Sequence, residues 1–331
     1  MKRKIATLVG LQLFAGLIAA TFAFGDDGAS GAGLSLWNVT YTEAQKKKGK
    51  KYMNEGSLLR IGDPVHETLT RQALAKSKLQ GADVIQLVRG VLWNDDPCGQ
   101  LLSGNELGAT SGWDWYWAFK KAEKISKDSR PDFEKVTKCP ALGRSHFGDL
   151  QFLHGMASGK DVTPKITRDL ILAWSEMVYG VAQQDDRPLW RMPLAKMQLS
   201  RSLPALPGAS PAELFHAPNS EACRYRALGS ILHVIQDSFA NGHVKRDDRG
   251  RVVQFHSYVG QDHDKHKTDD AWQGGSTDIE KIRKLKGGQM ALDASTRVIE
   301  LFAANAPWKD LETYLTTGPF AFSDKTENSA P

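Results

Sequence analysis

From residue 61 onward the chain alternates apolar and polar positions at the period of an α-helix. In "GDPVHETLTRQALAKSKL", Val65, Leu69 and Ala73 share one helical face. Asp63 stands at a cap position there, with Pro64 at the first helical position. "GADVIQLVRGVLW" continues the pattern. It returns in "SHFGDLQFLHGMA", "ITRDLILAWSEMVYGVAQ", "SEACRYRALGSILHVIQDSFA", "QMALDASTRVIELFAA" and "WKDLETYL". "RSLPALPGASP" separates the middle helices as a Pro-rich connection. The two-residue alternation of strands is hardly visible, and no internal repeat occurs. The predicted class is all-α: one helical domain over residues 61–325, a loop-rich insert over about 97–140, and a short tail at 326–331.

One helix breaks the apolar rule. In "ALGSILHVIQDSFANGHVKR", Leu228, Ile231, Leu232, Ile235 and Phe239 supply a buried face, yet His233 and Asp237 lie on the same helix four residues apart. The helix is expected to end near Asn241-Gly242, where glycine can adopt a left-handed cap, leaving His243 in the following turn. A second pair at the same spacing, His266 and Asp270, follows in "HKTDD". A buried unpaired carboxylate or imidazolium is strongly disfavoured, so a partner or a metal is expected.

Composition adds little. The 331 residues are 41% hydrophobic and 24% charged, with a net charge of +5. That charge permits anionic substrates but marks no nucleic-acid groove. The N-terminus is more informative. "MKRK" followed by "IATLVGLQLFAGLIAATFAF" and small residues reads as a secretory signal over residues 1–25, cleaved near Ala23 or Gly25. The stretch is also long enough for an uncleaved membrane anchor. A secreted or periplasmic location follows from the cleaved reading. Residues 26–60, Gly-rich and then Lys-rich, read as a flexible arm. Of three cysteines, Cys98 and Cys139 bracket the insert and are the expected disulfide, which leaves Cys223 as a free thiol.

The first half of the domain carries further His and Asp: His66 at a helix start, Asp95 and Asp96 in "WNDDP", and His146, Asp149 and His154 in "RSHFGDLQFLH". Imidazole and carboxylate ligands without cysteine suit Zn²⁺ in open, catalytic coordination. His154 and His216 are read as non-ligands.

The segments "HETLTRQA", "WNDD", "SHFGD", "LGSILHVIQDSFANGH" and "HKTDD" together resemble the zinc-dependent phospholipase C and single-strand nuclease superfamily. The resemblance implies an all-helical fold with three zinc ions in a cleft. It implies that Asp95, His146, His233 and Asp237 hold one zinc, that His243, His266 and Asp270 hold a second, and that Asp237 bridges to a third, which His66 also binds. Asp95 is preferred to Asp96 because its spacing from Trp93 matches the family. His256 and His263 compete with His266. The family's N-terminal tryptophan ligand has no counterpart in register: Trp37 lies far upstream of His66, so Asp63 is the alternative ligand to the third ion.

Clustered Zn²⁺ suits phosphodiester hydrolysis. Asp95 and Asp149 are the expected catalytic carboxylates, Asp149 either orienting His146 or accepting a proton. Two substrates compete. Phospholipid at a membrane surface fits the interfacial preference of the aromatic run Trp113–Trp117. Nucleic acid would instead use those aromatics to stack bases. A noncatalytic lipid-binding module with structural zinc is the reading from another class. No protein partner is implied.

Overall fold

The helical spacing is realised as ten α-helices among the described residues, with a single two-stranded sheet. The computed structural model describes residues 65–77, 79, 81–99, 112–136, 139–183, 188–197, 203–261 and 279–331. The helices are α1 (Val65–Ser77), α2 (Val84–Trp93), α3 (Gly112–Ile125), α4 (Pro140–Phe147), α5 (Pro164–Gln183), α6 (Pro211–Leu214), α7 (Ser220–Asp237), α8 (Ile279–Lys284), α9 (Gly288–Ala303) and α10 (Trp308–Thr317). The expected signal, the arm and Asp63 lie outside the described residues, as do His263, His266 and Asp270. No helix among the described residues is long and apolar enough to cross a membrane.

Helix α7 is the axis of the core. Asn219 caps its start by accepting a hydrogen bond from the Ala222 amide, and Leu228, Ile231, Leu232 and Ile235 are buried. Helices α1, α2, α5 and α9 pack around it. Trp174 of α5 stacks on Trp93 of α2 at 5.6 Å and donates its indole N–H to Ser230 of α7 at 3.2 Å. Helices α2 and α7 cross at Gly90 and Gly229. A Cβ on Gly90 would lie 2.1 Å from the Arg226 carbonyl oxygen, and one on Gly229 would lie 2.2 Å from that of Leu87. Only glycine permits this approach.

Helix α7 ends at Asp237, four residues before the expected stop at Asn241-Gly242. The Ser238 hydroxyl turns back to the Ile235 carbonyl at 2.7 Å, and tight turns link Phe239 to Gln236 and Ala240 to Asp237. The Ser238 carbonyl accepts from two nitrogens of Arg246, at 3.0 and 2.8 Å, in place of a further helical turn.

The sequence hid the sheet. Strands β1 (Val244–Arg246) and β2 (Val252–Phe255) pair antiparallel, with Val244 opposite Phe255, and a bulge lies between Lys245 and Arg246. Each strand is too short to show an alternation. The C-terminal residues 326–331, expected as a tail, lie along this sheet instead. The Glu327 amide donates to the Val253 carbonyl, and the Ser257 amide donates to that of Ala330. Ser329 is buried and donates to the Gly159 carbonyl at 2.6 Å.

The insert is also more regular than a loop. Trp115, Phe119 and Ala122 fall on one face of α3 and pack with Leu142 and Phe147 of α4 in a small apolar cluster of their own. Cys98 and Cys139 form the expected disulfide, and Cys223 is free and buried, which pushes its thiol up to about 12. Of the aromatic run, the side chains of Trp113, Tyr116 and Trp117 lie outside the described part.

The helix crossing yields a stability test. Gly229→Ala forces a methyl group onto backbone and is expected to destabilise the fold by about 3 kcal/mol. Gly159→Ala, which meets nothing within 4 Å, is expected to change stability by less than about 0.5 kcal/mol. Urea unfolding midpoints of the two variants check both.

Candidate metal centre

Six segments deliver imidazoles and carboxylates to one buried point. Helix α7 supplies His233 and Asp237, α1 supplies His66 from its first turn, and the residue pair after α2 supplies Asp95. His146 comes from α4, and His154 from the 3₁₀ turn Gln151–His154. His243 enters from the turn before β1. His146, His154, His233, Asp237 and His243 are all buried, whereas the side chains of Asp95 and His66 are 36% and 24% exposed and form the open side.

Asp237 is the hub. Its Oδ2 lies 2.9 Å from His233 Nε2, 2.9 Å from His154 Nδ1 and 3.6 Å from His243 Nδ1, while its Oδ1 lies 3.1 Å from His66 Nε2. Asp95 Oδ1 is 3.8 Å from both His154 Nδ1 and His233 Nε2. Two sets therefore have ligand atoms within 4.8 Å of one another: His66, His233 and Asp237, and Asp95, His146 and His154.

The electrostatics favour a cation at this point. His154 Nδ1 and His233 Nε2 are only 3.2 Å apart and share one carboxylate oxygen. Protonating both would set two N–H groups head-on. Protonating one would leave the other's lone pair facing the carboxylate. Burial lowers the His154 pKa, against the hydrogen bond and charge of Asp237, so this imidazole favours its neutral, lone-pair form. Burial pushes the Asp237 carboxyl up, but the charges of His233, His243 and His66 and the hydrogen bond to His154 outweigh it. The carboxyl is held well below its usual range. Imidazole nitrogens and an ionised carboxylate converging on one point make a donor set that could hold a divalent metal.

The hydrogen bonds behind the cluster orient it. His146 Nδ1 lies 3.0 Å from both the Leu142 carbonyl and the Ser145 hydroxyl, which turns Nε2 toward the other side of the ring. His243 Nδ1 donates to the His154 carbonyl at 2.8 Å, and its Nε2 lies 3.4 Å from the Tyr258 hydroxyl. Asn94, fully buried, ties together three segments that carry residues of the cluster. Its amide donates to the Leu153 carbonyl at 2.6 Å, and its oxygen accepts from the Ser230 hydroxyl at 2.7 Å. Leu153 adjoins His154, Ser230 lies one helical turn before His233, and Asn94 itself adjoins Asp95. Such outer hydrogen bonds fix ring and carboxylate orientation.

Several expectations change. His154, read as a non-ligand, sits at the middle of the cluster. The signal that identified His233, an ionisable group inside an apolar run, is present in "LQFLHGMA" as well. Asp149 does not serve His146. Gly148 breaks α4, with φ −121° and ψ −147°, and turns Asp149 outward, where Arg144 holds it with two bonds of 2.9 and 2.7 Å. The Leu142 carbonyl and the Ser145 hydroxyl contact His146 Nδ1 in its place. Of the two adjacent aspartates, Asp95 reaches the cluster, while Asp96 is 2% exposed and lies in neither metal-ligating set. His256, buried at the end of β2, donates its backbone N–H to the His243 carbonyl at 2.8 Å. His216 contacts the Pro97 carbonyl through Nε2 at 3.0 Å.

No family model matches the chain, and neither does any curated protein or solved structure.

The geometry separates His154 from Asp149. His154→Ala is expected to lower the bound divalent metal by at least one ion per chain, or to weaken binding at least tenfold. Asp149→Ala is expected to leave metal content unchanged. Elemental analysis of zinc-equilibrated protein, alongside circular dichroism, checks both.

Proposed function

We propose that this protein is an exported zinc-dependent phosphodiester hydrolase of the phospholipase C and single-strand nuclease type, with phospholipid as its substrate. The observation that carries the reading is Asp237, a buried carboxylate whose two oxygens face different imidazoles. Oδ1 faces His66, and Oδ2 faces His154 and His233. One carboxylate whose two oxygens face different imidazoles could bridge two cations. It matches the role that the resemblance assigns to Asp237. His154 joins the set that the resemblance gave to Asp95, His146, His233 and Asp237. His243, with His266 and Asp270, is proposed for a further ion.

Zn²⁺ held by these residues would supply a hydroxide near neutrality and neutralise phosphate oxygens. The protein contributes geometry and access. Asp95, the most exposed of the acidic groups, stands at the open side, where it can accept a proton from water beside the substrate. His66 shares that side. The buried imidazoles, held on helices α1, α4 and α7 and in the Gln151–His154 turn, keep the donor atoms fixed.

The aromatic composition of α3 supports a lipid substrate. The indole N–H of Trp115 donates to the backbone carbonyl of Asp95 at 3.0 Å, so the helix of sequence "GWDWYWAF" is anchored beside the open side of the centre. Tryptophan and tyrosine favour the membrane interface. The modest net charge of +5 gives less support to a nucleic-acid groove.

Hydrolysis of phosphatidylcholine vesicles and of single-stranded DNA by the purified, zinc-loaded protein tests the proposal. Lipid cleavage to diacylglycerol is expected, with loss of activity in EDTA and its return with Zn²⁺. Asp237→Asn is expected to lose bound metal and at least about 100-fold in turnover. Cleavage of DNA alone would assign the nuclease branch. Lipid binding without turnover would assign a noncatalytic module. Hydrolysis that survives complete metal removal would refute the metallohydrolase reading.

A further inference from the structure

The residue before Asp237 has a role that neither the helix pattern nor the resemblance identifies. Gln236 is 4% exposed and lies on α7, one helical turn after His233. Residues at these spacings share a face, and here that face meets α1 and α9. The carboxamide nitrogen of Gln236 donates to the Thr70 hydroxyl of α1 at 3.0 Å and to the Ser295 hydroxyl of α9 at 3.2 Å. Thr70 and Ser295 are both fully buried. Both amide protons are thereby committed, and the carboxamide oxygen is the atom left to face His66 Nδ1, 3.0 Å away.

An amide oxygen can only accept, so the hydrogen of His66 resides on Nδ1. In the neutral, metal-binding form of the ring the opposite nitrogen, Nε2, then carries the lone pair, and it is this atom that lies 3.1 Å from Asp237 Oδ1. A metal-binding histidine that donates its far N–H to an oxygen acceptor has both its tautomer and its ring plane fixed. We propose that Gln236 is a positioning residue: its carboxamide, locked by Thr70 and Ser295, holds His66 in the tautomer and orientation that offer Nε2 to a divalent cation beside Asp237. This rests on the metallohydrolase reading given above, and it names the group that completes the His66 side of the centre.

A simple stitching role predicts something different. If Gln236 only joined α1, α7 and α9, its two donated bonds would matter most. Gln236→Glu removes those donations but keeps an oxygen for the His66 N–H. Gln236→Met keeps the volume and removes both functions. The Thr70 and Ser295 hydroxyls can donate to a Glu carboxylate and so keep the helices joined. Positioning therefore predicts that Glu preserves the His66 tautomer and its metal while Met loses both, whereas stitching predicts lower stability in Met with the His66 tautomer unchanged.

The experiment is cobalt and zinc titration of the full-length protein and both variants, with metal counted by elemental analysis and the Co²⁺ visible spectrum recorded. In Gln236→Met, one class of ions is expected to bind about 10- to 100-fold more weakly, with a changed Co²⁺ band. Gln236→Glu is expected to keep the native count and band. Equal loss in both variants, or no change in Gln236→Met, overturns the proposal. A measurement on the unaltered protein guards against variants that fail to fold: ¹⁵N NMR of histidine-labelled, zinc-loaded protein. It is expected to show His66 with Nδ1 protonated and Nε2 bound to metal, and the reverse assignment overturns the proposal. Wild-type protein that binds no divalent metal refutes the metallohydrolase reading itself. Metal binding with the wrong His66 tautomer refutes only the role of Gln236.

Discussion

A carboxylate withdrawn from water, with four imidazole nitrogens within 3.6 Å, governs this structure. Asp237 sits on the central helix, and no hydrophobic gain compensates for burying its charge. Its surroundings hold it ionised, and they consist of side chains from α1, α7, the Gln151–His154 turn and the approach to β1. The polar centre thus links segments that the chain supplies far apart. Removing one partner leaves the others facing one another without compensation, the situation in which buried charges are most costly.

That convergence depends on close backbone packing elsewhere. The crossing of α2 and α7 at Gly90 and Gly229 brings the end of α2 to the level of Ser230, where Asn94 accepts from the Ser230 hydroxyl. Asn94 then fixes Asp95, the His154 turn and α7 relative to one another through buried hydrogen bonds. The glycines allow the approach, and the amide sets its register. A second layer is built by the insert. Its own small apolar cluster, the Cys98–Cys139 disulfide and the Trp115 bond to the Asp95 carbonyl place an aromatic helix beside the exposed edge of the centre.

The same separation explains how the sequence could be read. Apolar residues at helical spacing located α1, α2, α5, α7, α9 and α10, because burial on one face is a local property of a helix. The His233–Asp237 pair was legible for a related reason: an ionisable pair inside "LGSILHVIQDSFA" conflicts with its surroundings, and the conflict shows in a single window. His154 carried the same conflict in "LQFLHGMA" but without a carboxylate four residues on, so nothing local distinguished it from a core histidine. Asp149 had the reverse fault. Its spacing from His146 suggested a shared face, but Gly148 ends the helix between them, and spacing has meaning only within one element.

The sequence by itself determined the helical class, the disulfide that closes the insert and the presence of His and Asp where apolar residues belong, since each follows from periodicity or from the chemistry of one residue type. The approach of His154, rather than Asp149, to the cluster, the packing of residues 326–331 along β2 and the link from Gln236 to His66 were decided only in the tertiary structure. Each depends on which atoms from distant segments come within about 3 to 4 Å. Contact at that range is set by helix crossings and turns, and no local pattern in the chain encodes it.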